Sequence, residues 1–267
     1  MLDFEDLCVI IQSRGERKML TQERYQAILQ ILNEKNAVTV AELTQLLNTS
    51  ESTIRRDLTA LDEMGKLNKV FGGATSVKQT SGILEDNVRN RETVMSEEKN
   101  LIASYAAKLI NDNDFVFIDA GTTTSRLVDY ITNDKATYVT NGIPHARKLL
   151  QKGFTAYMVG GRIKPVTEAV IGPESIRSIA NFNFTKAFMG TNGIDADAGF
   201  TTPEVEEALI KEKAIEKSYM TFILADHTKF NVVCPVTFAK IDKCCIITDS
   251  MPNKKYSEYT VIKEVSK

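Results

Sequence analysis

The chain has 267 residues, a formal net charge of −2, 43% hydrophobic residues and 25% charged residues. These values are ordinary for a globular protein and allow either one large domain or a small domain joined to a medium one. The near-zero charge excludes a nucleic-acid-binding protein that is basic over its whole surface, so any DNA-binding surface must be local.

The first 18 residues differ from those that follow. Residues 14–18 are encodable by purine-rich codons such as a ribosome-binding site would supply, and Met19 stands just before an amphipathic segment. We therefore expect residues 1–18 to be a translated, non-native leader. A partly ordered N-terminal extension is the alternative.

Residues 19–76 are predicted to form a small domain that begins with three helices. Apolar residues within 25–32 recur at helical spacing and indicate the first helix. Thr39 and Glu42 have the spacing of a capping box, in which each side chain accepts a hydrogen bond from a free backbone N–H at the start of a second helix. After a short turn, Ser50 is placed to cap a third helix.

The third helix is predicted to have an apolar face and a polar face. At about 100° per residue, its aliphatic residues fall together and face the core. Two arginines and small hydroxyls fall on the opposite face, which suits the major groove, because Arg binds guanine bidentately or pairs with phosphate. The residues of this helix that we expect to contact DNA are Ser52, Thr53, Arg55, Arg56 and Thr59.

A β-hairpin is predicted after the third helix. Residues 66–75 alternate in character around Gly72 and Gly73, as in two short strands joined by a tight turn. We expect this hairpin to be a wing, with Lys66 and Lys69 near the DNA backbone. A three-helix interaction module with a solvated polar face is the alternative interpretation.

The string SESTIRRDL at residues 50–58, followed by Gly65-x-Leu67 and Gly72-Gly73-Ala74, resembles the DeoR family of bacterial regulators. The resemblance covers residues 21–75 and implies a winged helix-turn-helix that binds double-stranded operator DNA. Phe71 departs from the family pattern, which usually has His at this position of the wing. The resemblance therefore assigns no DNA contact to that side chain.

Residues 77–96 are polar, lack an apolar period and are predicted to be a linker. In residues 97–267, helical segments alternate with continuous apolar runs, of which residues 115–118 are an example. This alternation predicts an α/β domain with a mostly parallel sheet between helices, in which ligands bind at the carboxyl ends of the strands. Further strands are predicted near 137–140, 154–159, 186–190, 220–225 and 244–248, and helices near 144–151, 174–180 and 204–217.

Small and polar residues follow several of these strands. Gly121–Thr124, between a strand and a helix, offers backbone N–H groups, hydroxyls and a helix N-terminus to one phosphate. It lacks the Lys of a nucleotide P-loop, which argues against ATP. Similar loops at 140–142, 160–164 and 190–195 favour a shared ligand site over a set of unrelated tight turns.

The C-terminal half resembles the DeoR-family sensor domain, whose fold is like that of ribose-5-phosphate isomerase. The matching motifs lie between residues 98 and 249 and include Asp119–Thr123, Gly193–Asp195 and Ala225-Asp226-x-x-Lys229. The resemblance implies a phosphorylated sugar as effector, with its phosphate on Gly121–Thr124. The expected effector-binding residues are Asp119, Gly121, Thr122, Thr123, Thr124, Asn141, Gly142, Lys164, Gly190, Thr191, Asn192, Gly193, Asp195, Glu207, Lys211 and Lys229.

A narrower resemblance connects the chain with repressors of fructose operons. It rests on the motifs at 168–172, 190–193 and 199–208. It implies fructose 1-phosphate as the effector. Tagatose 6-phosphate, glycerol 3-phosphate and other sugar phosphates are the alternatives.

The remaining reactive residues are not expected to form a metal or catalytic centre. His145 follows a proline at a helix start and is expected at the surface, far in sequence from His227. The four cysteines form no C-x-x-C pair and are expected to be free thiols in a reducing compartment. No apolar run approaches the ~20 residues of a membrane span, so we expect no membrane partner. We further expect a cytoplasmic protein with no cofactor and no metal.

These resemblances imply a regulator of a sugar catabolic or phosphotransferase operon, which we expect to act as a homodimer or tetramer on operator half-sites. A repressor that a sugar phosphate releases from DNA is the preferred interpretation. One alternative is an activator of the same architecture. The other is an enzyme like a sugar-phosphate isomerase, in which Asp119, Asp195, Glu207 and Lys211 would supply acid–base groups.

Overall fold

The computed structural model describes residues 20–35, 37–76, 79–80 and 94–266. The chain divides into two compact units, Met1–Lys78 and Gln79–Lys267. The predicted leader, residues 1–18, lies outside the described residues, and so does most of the predicted linker. The described parts of that linker include Gln79–Thr80, which pairs with Val232–Val233, and Ser96, which begins a helix.

The described part of the N-terminal unit combines three helices with a small antiparallel sheet. The helices are α1 (Thr21–Lys35), α2 (Val40–Leu46) and α3 (Glu51–Glu63), and the strands are β1 (Ala37–Thr39), β2 (Leu67–Val70) and β3 (Gly73–Ser76). The strand order is β1-β3-β2, so β2 and β3 form the predicted hairpin and β1 extends it.

Short-range sequence signals explain where these helices begin. Thr39 Oγ1 accepts from the Glu42 backbone N–H at 3.2 Å, and Glu42 Oε2 accepts from the Thr39 backbone N–H at 2.8 Å, as predicted for a capping box. Ser50 Oγ accepts from the Thr53 backbone N–H at 3.3 Å and caps α3. Both caps satisfy backbone groups that a helix start otherwise leaves unpaired.

A buried ion pair that the sequence analysis missed joins α1 to α3. Arg24 donates from Nε to Asp57 Oδ2 at 2.6 Å and from Nη2 to Asp57 Oδ1 at 3.0 Å. The two side chains are only 9% and 5% exposed, beside core residues such as Ile28 and Leu58. The pair therefore fixes α3 to α1 from inside the unit, and the hydrogen bond with Asp57 raises the pKa of Arg24.

The C-terminal unit is an α/β structure in its described residues. Its helices are α4 (Ser96–Ala107), α5 (Thr122–Tyr130), α6 (Ile143–Gln151), α7 (Pro173–Ala180) and α8 (Val205–Glu216). Its strands are β4 (Gln79–Thr80), β5 (Phe115–Ile118), β6 (Thr137–Thr140), β7 (Ala156–Met158), β8 (Arg162–Lys164), β9 (Ala169–Ile171), β10 (Phe184–Gly190), β11 (Gly193–Asp195), β12 (Gly199–Thr202), β13 (Ser218–Leu224), β14 (Val232–Val233), β15 (Val236–Ala239), β16 (Cys245–Thr248) and β17 (Ile262–Glu264).

The main sheet of this unit has the order β17-β16-β13-β10-β5-β6-β7, and each neighbouring pair is parallel. The prediction of a mostly parallel sheet is thus confirmed. Smaller sheets (β11-β12-β15, β8-β9 and β14-β4) extend the connections between its strands.

Helices cover both faces of the main sheet. Residues of α4, α5 and α6 join the core on one face, and residues of α7 and α8 join the core on the other. In β5, Val116 and Ile118 belong to the core formed with α4, α5 and α6, whereas Phe117 belongs to the core formed with α7 and α8. Strands buried on both faces need apolar residues at every position, which explains the continuous apolar runs in the sequence.

The strand order reverses between β5 and β10. From β5 the chain continues through α5 to β6 on one side, and from β10 it continues through α8 to β13 on the other side. The helices α5 and α8 pack on opposite faces of the sheet. In open α/β sheets, such a reversal of strand order is where a crevice is expected at the carboxyl ends of the strands. The strand order thus reverses at the edge of the sheet where the sequence analysis expects a ligand.

We predict that Asp57→Ala destabilises the N-terminal unit by about 3–5 kcal/mol, because it leaves the buried Arg24 guanidinium without this carboxylate. Chemical denaturation, read by hydrogen exchange of peptides from residues 20–76, measures the change. Glu51→Ala is the matched control: it removes an exposed ion pair with Arg55, whose contribution should be below about 1 kcal/mol. Similar effects of the two substitutions would contradict the role of the buried pair.

Candidate DNA and effector sites

The exposed face of α3 carries the arginines predicted to contact DNA. Ser52, Arg55 and Arg56 are exposed, whereas Ile54 and Leu58 are buried in the core. Arg55 lies 3.3 Å from Glu51, one turn before it in the helix. Within the described residues, Arg56 has neither an ion pair nor a hydrogen bond through its side chain, so it is the cation most available to a partner.

The two threonines of this face are bound locally. Thr53 Oγ1 lies 2.9 Å from Ser50 Oγ at the helix start, and Thr59 Oγ1 donates to the Arg55 carbonyl oxygen at 2.8 Å. Both residues are half-buried. Their contribution to DNA binding stays a prediction.

Lys69 connects the wing to α3. Its backbone N–H donates to Asp62 Oδ1 at 2.9 Å, and its ammonium donates to Thr59 Oγ1 at 2.6 Å. Lys66, at the base of the hairpin, is exposed. The hairpin therefore lies along the side of α3 that carries Thr59, and Lys66 is the more available of the two predicted phosphate contacts.

A buried ion pair lies at the carboxyl ends of β5 and β10. Asp119, which follows β5, accepts through Oδ2 from the Gly190 backbone N–H at 3.0 Å and from the Lys211 ammonium. Lys211, on α8, also donates to the Gly190 carbonyl oxygen at 3.0 Å. Burial raises the pKa of the Asp119 carboxyl, and the Lys211 ammonium acts in the opposite direction.

The first turn of α5 begins directly beside this pair. Gly121 precedes the helix and no side chain caps it. The backbone N–H groups of Thr122 and Thr123 donate to no described residue, whereas the Thr124 hydroxyl donates to the Asp119 carbonyl oxygen at 2.6 Å. Free N–H groups at a helix start are the donors that bind phosphate in many proteins.

His145 is buried against this turn, so the expectation of a surface residue was wrong. His145 is only 3% exposed. Its Nε2 lies 3.1 Å from Thr124 Oγ1 and 3.1 Å from the Gly121 carbonyl oxygen. Nδ1 is buried and has no hydrogen-bond partner among the described residues. We assign the proton to Nε2, which can then donate to the Gly121 carbonyl oxygen and does not accept from the Gly121 backbone N–H, 3.5 Å away. Burial lowers the pKa of His145 to about 4, so the ring is neutral at pH 7.

Gly142 makes room for this imidazole. A Cβ at position 142 would lie 2.3 Å from His145 Nδ1. The sequence signal that points to burial is the spacing of His145 and Leu149, four residues apart on one face of α6. Gly142 therefore has a packing role, whether or not it also approaches an effector.

Asn141 connects the ends of β5 and β6. Its Oδ1 accepts from the Ala120 backbone N–H at 2.8 Å, and the residue is buried. This contact holds the chain just before Gly121. Asn141 is thus brought to the edge that carries Asp119, as the parallel strands led us to expect.

A second charged cluster surrounds Lys164. Its ammonium lies 3.0 Å from Glu204 Oε1 and 2.9 Å from Glu207 Oε1. Glu207 Oε2 accepts from the Thr202 hydroxyl at 3.3 Å, and the same hydroxyl reaches Asn192 Oδ1 at 3.2 Å. The structure therefore brings Lys164, Glu207 and Asn192 into one polar network.

The other predicted effector residues have local contacts. The Thr191 hydroxyl donates to the Gly193 carbonyl oxygen at 2.9 Å, and Gly193 packs closely against the backbone of β14. Asp195 Oδ1 accepts from the backbone N–H groups of residues 197 and 198 and closes the turn between β11 and β12. Lys229 is half-buried and its ammonium has no ion pair in the described part of the chain. Effector contacts by these four residues stay predictions.

No group of three or more His, Cys, Asp or Glu side chains in the described residues could hold a metal ion. Across the same residues, every helix is too short or too polar to cross a bilayer. Cys234, Cys244 and Cys245 are free thiols, and burial raises the pKa of Cys244 to about 12.

Two family models match the chain, the first mostly within the N-terminal unit and the second within the C-terminal unit. The DeoR-like helix-turn-helix domain matches residues 24–80, and the DeoR C terminal sensor domain matches residues 94–250. The chain belongs to the DeoR family. Its N-terminal unit is therefore a DNA-binding domain and its C-terminal unit a sensor domain, as the sequence resemblance implied.

Curated relatives of this DeoR-family chain are also transcriptional regulators. An uncharacterised HTH-type regulator of Bacillus subtilis (strain 168), FruR, is 39% identical over 251 residues, 92% of this chain and 99% of the relative. A lactose phosphotransferase system repressor of Staphylococcus aureus (strain NCTC 8325 / PS 47) is 33% identical over 214 residues, with coverages of 79% and 84%. The transcriptional repressor GlcR of Bacillus subtilis is 31% identical over 242 residues, with coverages of 90% and 93%.

Similarity to solved structures is much weaker. Ribose 5-phosphate isomerase A of Methanocaldococcus jannaschii matches with a TM-score of 0.39 and 11% identity over 51% of this chain and 54% of the enzyme. A probable sor operon regulator of Shigella flexneri matches with a TM-score of 0.39 and 8% identity, over 62% and 89%. These similarities carry no argument about ligand or chemistry.

We predict that the stability difference between this DeoR-family protein and its His145→Gln variant depends on pH. The folded state holds His145 neutral down to about pH 4, whereas the unfolded chain takes up a proton near pH 6.5. Lowering the pH through this window therefore destabilises the wild type, by roughly 3 kcal/mol in total, and leaves the glutamine unaffected. Urea denaturation at several pH values measures the difference, and a pH-independent difference would refute the neutral, buried imidazole.

Proposed function

We propose that this protein represses a sugar catabolic or phosphotransferase operon and that a phosphorylated sugar releases it from the operator. The observation that carries the proposal is the uncapped first turn of α5 at the reversal of strand order, beside the buried cation of Lys211. The relatives described as a lactose phosphotransferase system repressor and as the repressor GlcR support the regulatory role.

In this proposal the N–H groups of Gly121–Thr124 bind the phosphate, and Lys164 and Lys211 supply positive charge. The amides of Asn141 and Asn192 are suited to sugar hydroxyls, because an amide both donates and accepts hydrogen bonds. Fructose 1-phosphate is the first effector to test, given the resemblance to fructose-operon repressors. The ligand acts by binding more tightly to the conformation that releases DNA, since only differential affinity shifts such an equilibrium.

We also propose that the protein works in the cytoplasm as a homodimer or tetramer. Two copies of α3 then read two half-sites separated by whole turns of DNA. The position of the operator relative to the promoter distinguishes repression from activation. Footprinting upstream of the regulated genes therefore tests the repressor role directly.

We infer that the C-terminal unit is a sensor and has no isomerase activity. The relatives described as transcriptional regulators or repressors support this inference, and Asp119 and Lys211 are already held by each other in a buried ion pair. NMR spectra of pentose and hexose phosphates incubated with the protein should stay unchanged. The appearance of an isomerised product would overturn this part of the proposal.

The charges near the proposed site explain how an anion would compete for it. Lys164 pairs with Glu204 and Glu207, and Lys211 pairs with Asp119, so three carboxylates face two ammonium groups. A phosphate must therefore replace a carboxylate on one of the lysines. Glu204 is the most exposed of the three acids and is the partner most easily displaced from Lys164.

Arg56→Ala should weaken operator binding by about 1–3 kcal/mol, because Arg56 is exposed on the recognition face and free to contact a base. Duplexes selected by the purified protein from a random DNA library provide the target, and fluorescence anisotropy measures the affinity. Arg177→Ala, at an exposed arginine of the C-terminal unit, is the control and should bind as the wild type does. Unchanged affinity of Arg56→Ala would remove this residue from the interface.

A thermal-shift screen against sugar phosphates tests the effector site. A ligand at 100 times its Kd should stabilise the protein by about 2.7 kcal/mol. Lys164→Gln should reduce the shift, whereas Glu204→Gln should increase it because the competing carboxylate is gone. Lys135→Gln, at an exposed lysine paired with Asp112, is the control. No response to any sugar phosphate would argue against the phosphate site, and a response to another sugar phosphate would discard only the fructose assignment.

A further inference from the structure

Phe71, at the tip of the wing, has the highest relative exposure of any large apolar side chain in the described residues, at 108%. The neighbouring Val70 is exposed as well. Neither residue contributes to the core of the N-terminal unit. An aromatic ring in this position has no packing role within its own unit.

The backbone that carries Phe71 is nevertheless firmly held. The Gly72 carbonyl oxygen accepts from the Val40 backbone N–H at 2.8 Å, and Gly72 adopts a φ of +84° that closes the turn. Gly73 lies so close to β1 that a Cβ there would be 2.2 Å from the Val38 carbonyl oxygen. The turn is therefore fixed to the start of α2 while its largest side chain projects into solvent.

The direction of the wing follows from Lys69. Its two hydrogen bonds, to Thr59 and Asp62, place the hairpin along α3 beside the face that carries Arg55 and Arg56. DNA bound to that face would extend past the hairpin. The ring of Phe71 and the ammonium of Lys66 would then be presented to the same partner.

We propose that Phe71 is an apolar DNA-contact residue that enters the minor groove next to the major-groove segment bound by α3. The minor groove offers deoxyribose C–H groups and base edges to an apolar side chain, and such side chains can wedge between base steps there. Lys66 is placed to pair with phosphates on the groove's edge. The inference rests on the proposed DNA binding by α3 and adds a contact that is neither charged nor a hydrogen bond.

Phe71→Trp gives a direct test, because the chain contains no other tryptophan. On titration with a duplex selected by the wild-type protein, stacking or groove contact should quench the emission of the new indole. Tyr219→Trp, at a residue 90% exposed in the C-terminal unit, is the matched reporter and should not respond. Binding of the duplex by Phe71→Trp with unchanged emission would overturn the inference.

Salt dependence separates the apolar contact from the charged ones. Phe71→Ala should lower the affinity roughly ten-fold, the effect expected when an aromatic ring is no longer buried, with an unchanged slope of log K against log salt. Lys66→Ala should reduce that slope by about 1. If Phe71→Ala binds as tightly as wild type while Arg56→Ala binds weakly, the wing contact is disproved and the DNA-binding function stands. A wild-type protein that selects no duplex would overturn both.

Discussion

The arrangement of the sensor unit depends on one buried ion pair, between Asp119 and Lys211. It lies where the strand order reverses and connects β5, β10 and α8 through the backbone of Gly190. A carboxylate buried at this depth needs both the ammonium and the N–H group, because neither charge is stable there alone. The spacing of three elements is thus set by electrostatics at the edge where the strand order reverses. An effector bound beside Asp119 would act directly on the position of α8.

The two units differ in whether a side chain caps the N-termini of their helices. In the DNA-binding unit, α2 and α3 are capped by the side chains of Thr39 and Ser50. In the sensor unit, α5, α6 and α7 each follow a glycine and have no side-chain cap. Capping stabilises a helix by satisfying its N–H groups, whereas an open first turn keeps those donors available. At α5 the open turn is held in place by Thr124 and His145 instead, so it stays ordered without losing its donors.

Local patterns in the sequence predicted the secondary structure well, since capping boxes, hairpin glycines and apolar runs act within a few residues. The strands β5 and β6, for example, have the predicted bounds, and the parallel sheet follows from their alternation with helices. Contacts between distant residues were not predictable in this way. The pairing of Arg24 with Asp57 joins positions 33 residues apart, and the burial of His145 depends on Gly121 and Thr124 in another helix turn. The sequence also did not show that Asp195, an expected effector residue, accepts from the backbone N–H groups of residues 197 and 198.

The two sides of α3 differ in what they contact within the unit. Ile54, Asp57, Leu58 and Leu61 hold it in the unit, and none of them belongs to the exposed face with Ser52, Arg55 and Arg56. Substitutions on that face therefore leave the core intact. If α3 contacts DNA as proposed, one copy of a duplicated gene could change its DNA sequence preference by drift at a few surface positions while both copies kept the same sensor. The same separation makes α3 a convenient segment to exchange between regulators when a new operator is wanted under an existing effector.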